Sequence, residues 1–228
     1  MISIHNLRFS YNKEKRVIDN LNIRLADSCI HGIVGLNGSG KTSLLKLIFG
    51  LLKAEQGEIL FHQRKISKQD IAFLPSENFF YSNITAREYL QLFQNKNFKT
   101  NEWNFLFRLP LDEVIETYST GMKKKLAFLG ILKMNKPVII LDEPFNGLDM
   151  ETSRIIRSIL LKIKKNGTII IVTSHILETL TNMSDFIHLL ENGKIEYSVE
   201  KNDFERFEKQ IFHTLEAKNK EQIKKLLK

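Results

Sequence analysis

Eight consecutive residues, Gly35-Leu36-Asn37-Gly38-Ser39-Gly40-Lys41-Thr42, leave this chain few ways to fold. Two glycines bracket four residues and a Lys-Thr pair follows, the pattern of a phosphate-binding P-loop. Glycines let successive backbone N–H groups turn inward, and a helix opening there presents its positive end to the same phosphates. The flanks agree. Cys29-Ile30-His31-Gly32-Ile33-Val34 is an apolar run ahead of the turn, and Thr42 to Leu52 carries Leu44, Leu45, Leu47, Ile48 and Leu51 at helical spacing. Strand, glycine-rich turn and helix in that order form an α/β unit. Lys41 can then reach β- and γ-phosphates, and the Thr42 hydroxyl can ligate Mg²⁺. Gly35, Asn37, Gly38, Ser39, Gly40, Lys41, Thr42 and Ser43 form the candidate nucleotide-binding loop, with a nucleotide and Mg²⁺ as its expected ligands.

A second constellation complements the first. Val138-Ile139-Ile140-Leu141-Asp142-Glu143 is a short apolar strand ending in two carboxylates. That places Asp142 at the C-terminal edge of a parallel strand, where open α/β sheets bind ligands. Asp142 is the expected metal partner of Thr42, and Glu143 can polarise an attacking water as a general base. Thr168 to Thr173 is another β-branched run suited to a strand buried on both faces, and Met150 to Lys165 fits the crossover helix between the two.

Around this core, residues 2–9 and 17–25 read as an N-terminal antiparallel layer. Ile187 to Leu190 and Lys194 to Tyr197 flank Glu191-Asn192-Gly193 and read as a hairpin with an Asn-Gly turn. The stretch from Ile84 to Phe107 lacks strand alternation and carries Tyr89, Leu90, Leu92 and Phe93 on a helix-like stripe. The expected fold class is α/β: a P-loop core with a mostly parallel sheet, an N-terminal antiparallel β layer and an inserted helical subdomain. Residues 1–82 and 136–200 make the core and 83–135 the helical subdomain. Residues 201–228 form a C-terminal extension, where Ile223, Leu226 and Leu227 make one apolar stripe.

Composition narrows the setting. The single cysteine, Cys29, excludes an intrachain disulfide scaffold and is expected to pack as a small apolar residue. Neither a signal-peptide pattern nor an apolar run of about 18 residues is visible, which favours an intracellular chain. The net charge of +8 would suit acidic partners without identifying one. His5, His31, His62, His188 and His213 show no metal-ligand spacing.

Further residues narrow the family. Tyr118-Ser119-Thr120-Gly121-Met122-Lys123 resembles the signature motif of ATP-binding cassette proteins, usually Leu-Ser-Gly-Gly-Gln. Asn146-Gly147-Leu148-Asp149 stands at the spacing of that family's D-loop, Thr173-Ser174-His175 where it carries its switch histidine, and Tyr11 where an aromatic residue stacks on adenine. The resemblance implies a head-to-tail, ATP-dependent homodimer. Ser119 and the Gly121 N–H of one subunit would grip the γ-phosphate held by Lys41 of the other. Glu143 would activate water, and His175 would contact the γ-phosphate. The pattern departs from the family after Ile71-Ala72-Phe73-Leu74-Pro75, where Ser76 and Glu77 replace the Q-loop glutamine.

The function these signs imply is the ATPase subunit of an ATP-binding cassette transporter, of the exporter type with a separate transmembrane permease. It would sit at the cytoplasmic face of the membrane, with no direct nucleic-acid binding expected. Phe79, Phe80 and Tyr81 would build an apolar docking surface for that partner. The alternative is a soluble cassette ATPase acting on ribosomes or nucleic acid. Such relatives usually carry two cassettes or a long coiled coil, whereas Lys41 and Asp142 stand 101 residues apart here with no heptad array. A P-loop kinase, the other rival, would not need Ser119-Thr120-Gly121.

Overall fold

The computed structural model describes residues 1–12 and 15–209. The chain begins with β1 (Ile2–Ser10), β2 (Arg16–Leu25) and β3 (Ile30–Val34), followed by α1 (Lys41–Phe49). Three strands follow: β4 (Gln56–Phe61), β5 (Arg64–Lys65) and β6 (Ile71–Leu74). Next come α2 (Ala86–Gln91), α3 (Thr100–Asn104) and α4 (Thr120–Met134). The remainder is β7 (Val138–Leu141), α5 (Met150–Ile163), β8 (Ile169–Ser174), α6 (Leu177–Thr181), β9 (Phe186–Glu191) and β10 (Lys194–Glu200).

Two sheets result. The first is antiparallel, in the order β2-β1-β4-β5; the second runs β10-β9-β3-β8-β7-β6, parallel except where β10 pairs with β9. Every residue of β3, β7 and β8 is buried, as expected of central strands covered on both faces. Alternate residues feed two different cores. Ile169, Ile171, Val138 and Ile140 pack with α1 and the antiparallel layer, whereas Ile170, Val172, Ile139 and Leu141 pack with α4, α5 and α6. The expected antiparallel layer, parallel sheet and crossover helix are therefore all present. Three of the strands, β4 to β6, occupy residues where the apolar periodicity marks no element.

The helical stretch is less regular than its composition suggests. α2 and α3 are only 6 and 5 residues long, and α4 is the one long helix between them and β7. Thr85 and Glu88 close a capping box that starts α2, but the polar run Gln94-Asn95-Lys96-Asn97 and Pro110 give the backbone other partners and prevent continuation. Leu92 is exposed accordingly, while Leu90 is buried. This stretch has no core of its own: Leu90, Phe107 and Phe128 belong to the same apolar cluster as Ile139 and Ile170 of the sheet.

Smaller departures have local causes. α1 stops at Gly50, whose φ of 79° ends the helix, so Leu51 is exposed rather than part of the apolar face. Cys29 is only half-buried, and burial together with the Asp185 carboxylate pushes its thiol pKa upward. Asn192 and Gly193 both take positive φ and make the expected tight turn between β9 and β10. In the C-terminal extension Phe204 and Phe207 are buried, and the stripe of Ile223, Leu226 and Leu227 lies outside the described residues.

Candidate nucleotide-binding and hydrolysis site

The phosphate loop joins β3 to α1 and wraps the N-terminus of that helix. Gly40 takes φ 107° and has no side chain to cap α1, so the first-turn N–H groups remain available for an anion. A Cβ at Gly40 would lie 2.9 Å from the Val17 carbonyl. At Gly35 it would lie 2.4 Å from the Leu190 carbonyl and 2.6 Å from Ser39 Oγ, so both positions require glycine. Lys41 is buried and folds back, donating to the carbonyls of Gly35 at 2.7 Å and Leu36 at 3.2 Å. Burial lowers its pKa, against the opposing pull of the Glu143 and Asp142 carboxylates.

One network ties this loop to the acidic strand end. Thr42 Oγ1 donates to Asp142 Oδ2 at 2.8 Å, and Thr173 Oγ1 donates to Asp142 Oδ1 at 2.7 Å. The same Thr173 hydroxyl accepts the Glu143 N–H at 3.0 Å. Asp142 is 1% exposed, so its oxygens need such partners in place of water. Glu143 follows in the left-handed region, φ 51°, a strained conformation for a side chain of its size. The Asn146 amide donates to Glu143 Oε2 at 2.5 Å, and His175 Nδ1 lies 3.5 Å from the same oxygen.

The loop's chemistry suits a triphosphate. Ser39 Oγ is buried without a hydrogen-bond partner among the described residues, in a cradle that a side chain at Gly35 would fill. A phosphate oxygen would satisfy it, as it would the buried Lys41 ammonium. Among the described residues no three His, Cys, Asp or Glu side chains form a metal cluster. Thr42 and Asp142 fit Mg²⁺ nevertheless, because that ion keeps waters and takes its remaining oxygens from substrate phosphates.

The other expected site residues are placed as follows. Tyr11 is exposed beside the loop, its hydroxyl 3.0 Å from Ser43 Oγ and its ring edge-to-face with Phe9. Asn37 and Gly38 are exposed on the loop tip. Ser119 and Gly121 stand at the start of α4, where Ser119 Oγ accepts the Met122 N–H at 3.3 Å and caps its own helix. No hydrogen bond joins them to residues 35–43 among the described residues. Ser76 and Glu77 are exposed after β6.

The aromatic run requires a correction. Phe79 and Tyr81 are 79% and 60% exposed with rings 5.6 Å apart, but Phe80 turns inward against Tyr89, 5.0 Å between rings. Phe80 packs against the main apolar cluster while its two neighbours stay in solvent, so the three aromatics do not share one surface.

Three features were missed by the sequence reading. Thr173 joins both carboxylate residues, a role that a lone hydroxyl in an apolar run does not announce. Lys124 donates to the Asn146 carbonyl, linking α4 to the loop after β7. His31 and His188 meet inside the sheet, Nδ1 to Nε2 3.1 Å, because β3 and β9 are neighbours. Burial lowers their pKa values to about 4 and about 3, so both are neutral at pH 7.

Comparison with known proteins agrees with this geometry. The family model described as ABC transporter matches residues 18–146. The lantibiotic transport ATP-binding protein SrtF of Streptococcus pyogenes is 31% identical over 225 residues, covering 92% of this chain and 97% of its own length. The bacitracin transport ATP-binding protein BcrA of Bacillus licheniformis is 31% identical over 218 residues, covering 86% and 68%. In fold, a dimeric ATP-binding cassette in a post-hydrolysis state with ADP and Pi matches with a TM-score of 0.78. It is 21% identical, covering 88% of this chain and 99% of its own. With a phosphate loop, an acidic strand end and similarity running nearly end to end, the chain belongs to the ABC transporter family and is an ATP hydrolase of its ATP-binding subunit type.

Proposed function

We propose that this chain is the ATPase subunit of an export-type ABC transporter, acting as an ATP-dependent head-to-tail homodimer on a separate transmembrane permease. The observation that carries this reading is the network of Thr42, Asp142 and Thr173, which joins the phosphate loop, the metal carboxylate and the Glu143 backbone. Lys41, released from the carbonyls of Gly35 and Leu36, binds the β- and γ-phosphates, while Ser39 and the first-turn N–H groups of α1 hold the phosphate oxygens. Tyr11 offers its exposed ring to adenine. Thr42 and Asp142 would hold Mg²⁺, whose charge would offset that of the phosphate oxygens. Asn146 engages Glu143 Oε2, which leaves Oε1 to accept a proton from the attacking water. His175, beside Glu143, contacts the γ-phosphate as negative charge develops. Ser119 and the Gly121 N–H serve the ATP of the second copy.

Residues 1–82 and 136–200 are the catalytic core, 83–135 the helical subdomain and 201–228 an extension. No helix among the described residues is long and apolar enough to cross a membrane. Phe79 and Tyr81 supply the apolar contact for the permease, with Ser76 or Glu77 relaying the nucleotide state, so the subunit lies peripherally at the cytoplasmic face. The similarity to two transport ATP-binding proteins supports transport over an action on ribosomes or nucleic acid.

Glu143→Gln tests the reading directly. Steady-state hydrolysis should fall about 10²–10⁴-fold while ATP binding persists, and an ATP-bound dimer should accumulate in size-exclusion chromatography. Unchanged turnover would remove Glu143 from the mechanism. Turnover stimulated by RNA rather than by a permease would favour the soluble alternative.

A further inference from the structure

Lys124 is not among the phosphate-binding or metal-binding residues, yet it stands at one end of a polar chain that stops at Glu143. Its ammonium donates to the Asn146 carbonyl, and the Asn146 amide donates to Glu143 Oε2. Burial depresses the lysine's pKa, and the opposing influence on it is the Glu143 carboxylate. Its neighbour Lys125 pairs instead with Asp149, 3.5 Å away. Two adjacent lysines of α4 thus hold both ends of the loop 146–149. Backbone bonds from Asn146 N–H to the Glu143 carbonyl and from Leu148 N–H to the Phe145 carbonyl, both 3.3 Å, turn the chain here, but Gly147 takes φ 72° with open space where a side chain would stand, so no side chain of its own anchors the tip. A lysine that surrenders rotamer freedom and hydration to one backbone carbonyl constrains that carbonyl in return.

We propose that Lys124 is a positioning residue for ATP hydrolysis, fixing the turn at Asn146 so that its amide holds Glu143 Oε2 and leaves Oε1 for water. The inference rests on Glu143 as the base. It also gives α4, which carries Ser119 at its start, a polar route to the hydrolytic carboxylate of its own subunit.

The test compares Lys124→Met, Lys124→Arg, Asn146→Ala and the Lys124→Met/Asn146→Ala double variant of the full chain by steady-state ATP hydrolysis. Lys124→Met should lower kcat about tenfold, the scale of one lost hydrogen bond from a charged group, with KM for ATP within about twofold of wild type. Lys124→Arg, which keeps a charged donor, should recover most of the loss. Because both residues act on one carboxylate, the double variant should lose no more than Asn146→Ala alone. An unchanged kcat in Lys124→Met, multiplicative losses in the double variant, or a loss matched by a smaller dimer fraction in the Glu143→Gln background would each overturn the proposal. The two ideas fail separately: full turnover in Glu143→Gln removes the base itself, whereas an inactive Glu143→Gln beside a fully active Lys124→Met removes only the positioning role.

Discussion

At the ends of β7 and β8 the polar groups are tied to one another, whereas at the start of α4 they face solvent. Both Asp142 oxygens are hydrogen-bonded, Thr173 is wholly buried, and Glu143 is held at its N–H and at Oε2. Ser119 is exposed, and its hydroxyl does no more than cap its own helix. The difference follows from solvation. Buried carboxylates and hydroxyls must find partners inside the chain, while an exposed hydroxyl is served by water until something displaces it. One end is closed on itself; the other is open, and in the proposed dimer it is where the ATP of a second copy would bind.

The strongest way to break this comparison is Ser119→Arg. It should abolish the ATP-dependent dimer and lower hydrolysis by about 10²-fold or more, while ATP affinity of the monomer, measured by equilibrium binding, stays near wild type. Weakened monomer binding would place Ser119 in its own subunit's pocket. Thr173→Val examines the buried end. Removing one hydroxyl leaves the Glu143 N–H and Asp142 Oδ1 short of partners, which should cost about 1–3 kcal/mol in denaturant unfolding and reduce kcat. Thr173→Ser should restore both.

Weaker effects sharpen the contrast. Phe79→Ser with Tyr81→Ser should leave ATP turnover of the isolated subunit unchanged but reduce its co-purification with the permease, because both rings are exposed. Phe80→Ser should instead lower thermal stability, since that ring packs on Tyr89. The smallest effect concerns the buried histidine pair. Their folded pKa values, about 4 and about 3, lie below the ordinary 6.5, so below that pH the unfolded chain binds protons that the folded chain refuses. Their contribution is present above pH ~6.5 and lost as pH falls, so denaturant midpoints should decline from pH 7 to 5. His188→Asn should flatten that slope.

The phosphate loop, the acidic strand end and the Asn-Gly hairpin were legible because each depends on neighbours within a few residues. Glycines at fixed spacing, β-branched runs and a turn with two positive φ values act locally. The family signatures drew attention to Ser119 and His175 by order along the chain alone. Legibility failed where contacts are distant. β4 carries mostly exposed or half-buried residues and is held by pairing with β1, so its own pattern is weak. Phe80 and Phe79 look alike in sequence and differ only in which side of the backbone they occupy.

By itself the sequence determined that this chain builds a strand, a phosphate-binding turn and a helix, and that two carboxylates end a second buried strand. Those outcomes follow from local backbone preference and apolar periodicity, which need no knowledge of the rest of the molecule. The tertiary structure alone decided that Thr173 stands between Asp142 and Glu143, that Lys124 reaches Asn146 across the loop after β7, and that His31 meets His188. Each of these depends on which strands and helices become neighbours. That choice is made by burying two apolar faces of one sheet at once, and no single segment encodes it.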